Sequence, residues 1–369
     1  MNMDFYMPAR LVSGELCVKT GGNIFKSYGS KCLIVTGGRS AKISGALHAV
    51  LSVLSEKDIS YSIYSEIAEN PTVTSCRIGG EKAREQNADF IIGIGGGSPL
   101  DAAKAVAIFA ANKEFRNEDI YKRSIPAKAL PVLLIGTTSG TGSEVTGVSV
   151  LTDDAVNMKK SISGEDCYAN VAFLNPRFTD TMPLTVTIST GLDALSHTVE
   201  GWFSPKRSDI AKSFGTLALG QIFGQLTDIY KYDKLPNKKG RDALFYGSIY
   251  SGLSLNITGA SFAHTLGYVL TEDFGISHGR ACTAFMPFLI KRAGEFCKNR
   301  LDEMLNILGT DEDSFLEIVK GLTNIRLNIS AEEIEKYCER WDNKNKNFIN
   351  SPGGFTVSDV RLALKSLSE

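Results

Sequence analysis

The first half of the chain alternates short, wholly apolar runs with longer stretches in which apolar residues recur every three or four positions. That alternation predicts strands interleaved with helices, as in a parallel sheet covered on both faces. Lys31 to Thr36 (KCLIVT) reads as a buried strand ended by Gly37 and Gly38. Ala41 to Lys57 then sets Ile43, Leu47, Val50, Leu51 and Leu54 at helical spacing,. Tyr61 to Tyr64 is a second strand, Val73 to Gln86 a second helix, Asp89 to Ile94 a third strand and Pro131 to Ile135 a fourth. Beyond about Arg177 the pattern changes to long amphipathic segments, among them Ala211 to Tyr230 and Arg241 to Ile257, with no convincing strand. These readings place an α/β domain over residues 1–178 and an all-α domain over 179–369, packed closely, with no internal repeat or linker,.

Composition narrows the functional class. The 369 residues suffice for two cored domains,. Forty basic residues against forty-one acidic leave no bulk charge to attract nucleic acid or membrane,. No apolar run approaches the roughly 18 residues of a membrane span. The seven cysteines are scattered and never form a Cys-x-x-Cys pair, so they read as reduced thiols,. The N-terminus lacks the pattern of a signal peptide, and a cytoplasmic protein is expected,.

Three stretches carry candidate chemistry. GGGSPLDAAK, Gly95 to Lys104, follows a strand and opens a helix. Gly95, Gly96 and Gly97 let the backbone approach a ligand, and free N–H groups at the helix start favour an anion such as a diphosphate. The spacing is not G-x-G-x-x-G, so that fingerprint does not apply,. TTSGTGSE, Thr137 to Glu144, supplies a second glycine-rich loop after the next strand, with hydroxyl donors at Thr137, Thr138, Ser139, Thr141 and Ser143,. Either loop alone is a common turn; together, at successive strand ends, they mark the edge where α/β sheets bind ligands. In GLDALSHTVEGW, Gly191 to Trp202, Asp193 and His197 stand four apart and share one face of a helix,. The chain has four histidines. His48 reads as a partly exposed structural residue, whereas His264 and His278 lie in Gly- and Ser-rich sequence and complete, with Asp193 and His197, a plausible ligand set.

In order and spacing, GGGSPLDAAK, TTSGTGSE, GLDALSHTVEG, SFAHTLGYVL and FGISHGRA resemble the iron-containing (type III) alcohol dehydrogenases. The resemblance runs from Glu69 through His278 and more weakly beyond. It implies a dehydroquinate synthase-like architecture: an N-terminal dinucleotide-binding domain, a helical metal-binding domain and a metal in the cleft between them. It implies Asp193, His197, His264 and His278 as metal ligands and catalytic centre. It further implies that Gly96, Gly97, Ser98, Asp101, Thr137, Thr138 and Thr146 line the coenzyme, with Asn70 near its ribose or adenine side and Lys159 as a ribose contact. Gly95 and Thr141 belong with the same loops.

Two departures from the family pattern matter. Where many NAD-dependent members have an acid after the first strand, this chain has Gly37, Gly38, Arg39 and Ser40, which suits a ribose phosphate and favours NADP over NAD,. Where some relatives carry a second histidine one turn after the third ligand, this chain has Tyr268, which puts a histidine proton relay there in doubt. An Asp and three His suit Fe2+ or Zn2+, and the resemblance favours iron. The expected activity is metal-dependent, NAD(P)-linked oxidation of a small alcohol or reduction of an aldehyde by a homodimer. The competing readings are a dehydroquinate synthase-like lyase, a glycerol dehydrogenase-like enzyme, and a non-catalytic dinucleotide-binding protein. Trp202, Phe203, Tyr268 and Phe274 are candidate pocket walls or core.

Overall fold

The computed structural model describes residues 5–124 and 127–368. The chain divides after Met182 into two compact units, where the sequence suggested a boundary at 178.

The first unit is built on six parallel strands in the order β1-β8-β5-β4-β2-β3. These are β1 (Arg10–Ser13), β2 (Lys31–Gly37), β3 (Ser60–Ile67), β4 (Phe90–Gly95), β5 (Val132–Gly136) and, after the antiparallel hairpin of β6 (Val148–Asp153) and β7 (Met158–Ser163), β8 (Val171–Leu174). Every residue of β4 and β5 is buried, as expected of strands covered on both faces, while edge strand β3 exposes Tyr61 and Ile63,. The chain runs from β2 outward to β3 and then returns to β4 on the other side of β2, so the order reverses between β2 and β4. Ligands of open α/β sheets bind at the carboxyl ends of strands beside such a reversal.

The helix expected over Ala41 to Lys57 is two helices, Ser40–Ile43 and Ala46–Glu56, because Gly45 takes a left-handed φ of 80° between them. Strands β1 and β8 and the β6–β7 hairpin were not anticipated. β1 and β8 are only four residues long, and β7 has a largely polar sequence (MKKSIS).

The helix Gly97–Ala111 is almost wholly buried and rich in alanine. Small side chains bring it close to the sheet: a Cβ on Gly93 would lie 2.7 Å from Ala103 Cβ. Within this helix the fully buried Lys104 donates from Nζ to the carbonyls of Thr146 (3.0 Å) and Val148 (2.7 Å). Asp101, 3.7 Å from that amine, accepts from Ser143 Oγ (2.6 Å) and the Val150 N–H (2.8 Å). A buried charge pair of this kind is tolerated because its polar atoms are satisfied, and here it fixes the hairpin and the Thr137–Glu144 loop on the helix.

The second unit is helical, with no strand among its described residues. The expected helices appear as Asp209–Tyr232 and Lys238–Thr258, and both pack on Leu184–Phe203. From Gly191 to Phe203 every residue of that central helix is buried. Leu192, Leu195, Val199 and Trp202 join the apolar core, each contributing about 1.5–3 kcal/mol if fully buried,. That burial fixes which face of the helix is left for its polar residues. Trp202 and Phe203 are core, and Phe274 packs against the same core beside Tyr337.

Candidate metal centre and coenzyme loops

In the first unit, three strands end in glycine at matching register. Thr36 pairs with Ile94, so Gly37 follows beside Gly95, and Gly95 pairs with Gly136. The loops that leave them touch. A Cβ on Gly96 would lie 3.1 Å from Thr138 Cγ2, one on Gly97 would lie 2.5 Å from Thr141 Cγ2, and one on Gly37 would lie 3.3 Å from Pro99. The first-turn N–H groups of the Gly97–Ala111 helix have no acceptor within the helix and open at this edge,. Thr137 Oγ1 and Ser139 Oγ are buried without a hydrogen-bond partner among the described residues. Asn70 reaches the same edge: its backbone N–H lies 3.3 Å from Ser98 Oγ, and its carbonyl accepts from Thr152 Oγ1 at 3.2 Å. Gly38, Arg39 and Ser40 are exposed after β2, and Lys159 lies on β7 opposite Thr152. Of the residues expected to line a coenzyme, Asp101 has both oxygens engaged in the protein, and Thr146 offers its carbonyl to Lys104.

In the second unit, Asp193, His197 and Glu200 emerge from one face of the Leu184–Phe203 helix at a spacing of four and three residues,. His264 lies on the helix Phe262–Phe274, which Gly275 ends with a left-handed φ of 64°, and the Ile276 N–H donates back to the Leu270 carbonyl at 3.1 Å,. That reversal returns the chain so that His278 opens the helix His278–Thr283 beside His264. The next residue must be small: a Cβ on Gly279 would lie 1.8 Å from the Ser189 carbonyl oxygen and 2.7 Å from the Asp193 nitrogen. The helix carrying His278 thus rests directly on the backbone that carries Asp193.

Asp193, His264, His278 and Cys282 each offer a donor atom, and all four atoms lie within 4.8 Å of one another. Asp193 Oδ1 is 3.5 Å from His264 Nε2 and 3.9 Å from His278 Nε2. Those separations are too long for good hydrogen bonds. They are close to the ~3.4 Å expected between two O or N ligands set tetrahedrally about 2.1 Å from a shared ion. Asp193 Oδ1 and His264 Nε2 are buried with no hydrogen-bond partner among the described residues. Donors held apart, buried and unsatisfied are what a divalent cation requires, and the residues fit one. His197 is buried, its ring stacked on that of His264 at 4.2 Å between centroids, and its Nδ1 also lacks a partner.

Glu200 is the part of this centre that sequence reading missed. Almost fully buried, it accepts from His264 Nδ1 (2.8 Å) and from the backbone N–H groups of Ser261 and His264 (both 2.9 Å). One carboxylate therefore caps the start of the His264 helix and leaves Nε2 of that ring as the free donor. Its position three residues after His197 on the same face was the available signal.

Charge in the cluster is arranged for a cation. Burial alone would raise the Asp193 carboxyl, but the three surrounding imidazoles hold it well below the usual range. Burial also opposes ionisation of Glu200, and the His264 charge and its hydrogen bonds outweigh that to lower it. His197 is pushed down to about 4, chiefly by burial, and is neutral at pH 7 with a lone pair to offer. For His264 burial favours the neutral ring, yet Cys282, Glu200 and Asp193 together hold it well above 6.5. Protons and metal ions accordingly compete for this cluster.

The iron-containing alcohol dehydrogenase family matches residues 8–176, and the C-terminal part of the Fe-containing alcohol dehydrogenase family matches residues 187–335. The chain belongs to the iron-containing alcohol dehydrogenases. It is 32% identical to the sulfoacetaldehyde reductase of Bilophila wadsworthia over 77% of this chain and 73% of that protein. It is 31% identical to long-chain-alcohol dehydrogenase 1 of Geobacillus thermodenitrificans over 93% of this chain and 84% of that protein. The crystal structure of an iron-containing alcohol dehydrogenase from Thermotoga maritima superposes with a TM-score of 0.91 at 36% identity, covering 99% of each chain. The chain is thus an oxidoreductase of the metal-dependent, nicotinamide-linked alcohol dehydrogenase class, which favours net hydride transfer over the lyase and non-catalytic readings. Among the described residues no helix is long and apolar enough to cross a membrane.

Proposed function

We propose that the enzyme transfers hydride between NADP(H) and a small alcohol or aldehyde, using one divalent ion, iron or zinc, held by Asp193, His197, His264 and His278. The observation that carries this reading is the gap between Asp193 Oδ1 and His264 Nε2, two buried donors 3.5 Å apart that no group among the described residues satisfies. When bound, the cation supplies the Lewis acidity that an alcohol hydroxyl needs at neutral pH, and the nicotinamide supplies or accepts the hydride.

The protein's own contribution is to orient donors and exclude water. Glu200 fixes the tautomer and aim of His264, and Gly279 allows the His278 helix to approach Asp193,. Tyr268 stacks on the His278 ring at 5.6 Å, which supports a role in steadying that ligand at the position where some relatives carry a relay histidine. In the first unit, Gly95, Gly96, Gly97 and Ser98 would receive the diphosphate, and Thr137, Thr138 and Thr141 would face the coenzyme with them. Asn70 would lie toward its ribose, with Lys159 and Thr146 on the hairpin side and Asp101 acting through Ser143 and Val150. Gly37, Gly38, Arg39 and Ser40 carry no acid and the last three are exposed, which favours a ribose phosphate and therefore NADP,. Reduced cysteines, all free among the described residues, support a cytoplasmic setting,.

The test is anaerobic reconstitution with Fe(II) or with Zn(II), followed by initial rates on a panel of short aldehydes with NADPH and with NADH. Metal-dependent turnover with NADPH preferred is the expected result. A tenfold preference for NADH would overturn the role given to Arg39, and coenzyme binding without metal-dependent turnover of any aldehyde would overturn the activity.

A further inference from the structure

His264 is the third residue of its helix, and the start of that helix is not capped by its own residues. Ser261 stands at the N-cap, a residue type that usually caps well, yet its hydroxyl has no hydrogen-bond partner among the described residues,. The first N–H groups are met from elsewhere in the chain: those of Ser261 and His264 by Glu200, and that of Phe262 by Ser351 Oγ at 3.2 Å. Beside Ser351, the buried Asn350 reaches the loop that leads into the helix. Its Nδ2 donates to the carbonyls of Thr258 (2.8 Å) and Ala260 (3.0 Å), with that of Gly259 at 3.4 Å. Carbonyls gathered on one side can be met only by the NH2 end of the amide, which turns Oδ1 the other way. There it accepts from Ser204 Oγ at 2.8 Å. Ser204 is the C-cap of the Leu184–Phe203 helix, the one that carries Asp193 and His197. A single side chain therefore joins the end of that helix to the start of the His264 helix. Neighbouring contacts hold the joint in place: Asn347 Nδ2 donates to Thr265 Oγ1 at 3.0 Å, and the Phe355 ring stacks on that of Phe262 at 3.8 Å. All of these C-terminal residues lie beyond residue 335, where the match to the family's C-terminal part ends.

From this geometry we infer that Asn350 is a positioning residue for the metal centre: it sets the spacing between the helix that carries Asp193 and His197 and the helix that carries His264. The inference rests on the proposed metal site and leaves its ligands as they are. Without the amide, the Thr258 and Ala260 carbonyls and the Ser204 hydroxyl lose a buried partner, and the loop has to move to find another. Metal sites tolerate little such movement, since their donors must be held within about 0.5 Å of the working geometry. Loosening the joint therefore costs metal affinity while the surrounding core stays packed. A residue that served stability alone would, when changed, lower the melting temperature and leave the metal affinity of the folded protein where it was.

The experiment compares full-length wild type with Asn350→Ala, Ser204→Ala and Val360→Ala by zinc affinity against a competing chelator, by Co(II) d–d absorption, and by the melting temperature of each metal-free protein. Asn350→Ala removes both ends of the amide and is expected to bind zinc about tenfold more weakly, with shifted d–d bands. Ser204→Ala breaks one hydrogen bond of the joint and leaves the Asn350 donors in place, so about threefold is expected. Val360 belongs to the core of the same C-terminal segment and makes none of these side-chain hydrogen bonds. Val360→Ala is expected to lower the melting temperature and to keep wild-type zinc affinity. Should Asn350→Ala not fold, Ser204→Ala decides alone. Wild-type affinity in the joint variants, or an equal loss of affinity in Val360→Ala, would reduce Asn350 to a structural residue and leave the proposed metal site standing. Failure of wild type to bind zinc or cobalt would overturn both.

Discussion

The two units solve the problem of holding a ligand by opposite means. In the α/β unit the proposed coenzyme edge is made of backbone and of side chains that are missing: Gly37, Gly95 and Gly136 stand in register on three adjacent strands, and the loops beyond them touch through atoms that a Cβ would displace. In the helical unit the candidate centre is made of carboxylate and imidazole side chains, buried or half-buried, with donor atoms held about 3.5–3.9 Å apart. A site built from backbone is damaged by adding atoms, and a site built from side chains by removing them. Mutations should therefore separate the two ligands cleanly.

The largest effect is expected from Asp193→Ala. Loss of the shared carboxylate should empty the centre of metal and lower kcat/KM by about 10^3-fold or more, equivalent to some 4 kcal/mol. Coenzyme affinity, measured by fluorescence titration, should remain near wild type. A variant that still holds one metal per chain would place the carboxylate outside the centre.

Glu144 is the exception within the backbone-built region, a buried carboxyl raised from 4.5 to about 7, mainly by burial. Because its folded pKa is raised, the protonated acid stabilises the fold below pH 4.5, and that contribution is lost as pH rises through 7,. Wild type should therefore lose roughly 3 kcal/mol relative to Glu144→Gln between pH 4.5 and 8. Urea denaturation of both proteins at pH 5 and pH 8 checks this, and equal stability changes in the two would show that Glu144 is not the cause.

Gly97→Val adds atoms where a Cβ would already lie 2.5 Å from Thr141 Cγ2. We expect coenzyme affinity to fall on the order of 100-fold with metal content unchanged. If metal is lost as well, the sites are not separable in the way described. Glu200→Gln is expected to be milder: metal affinity should fall about 10- to 100-fold, as for other groups that orient a ligand through one hydrogen bond. Recovery of metal binding at high zinc would distinguish a loosened His264 from a misfolded centre.

The same contrast explains what could be read from sequence. Glycine-rich loops after apolar runs are legible because the turn chemistry is local, and so the parallel sheet and its ligand edge were visible in GGGSPLDAAK and TTSGTGSE. Asp193 and His197 were legible for the same reason, since four residues is one helical turn. Glu200 was not. It lies one turn from a candidate ligand, but it takes its role from contact with a different helix, the one that carries His264. The break at Gly45 depends on a backbone angle that a continuous apolar pattern conceals. Asp101, which the motif points toward the coenzyme, spends both oxygens on Ser143 and Val150, a pairing 42 and 49 residues distant in sequence.

The most direct test of two independently built sites is to titrate NADPH into metal-loaded wild type, metal-stripped wild type and His264→Ala, and to measure aldehyde reduction on the same samples. The coenzyme dissociation constant should agree within about threefold across all three, a difference under 0.7 kcal/mol, while turnover appears only in the loaded wild type. Turnover by a metal-loaded His264→Ala, or loss of coenzyme binding on metal removal, would contradict it.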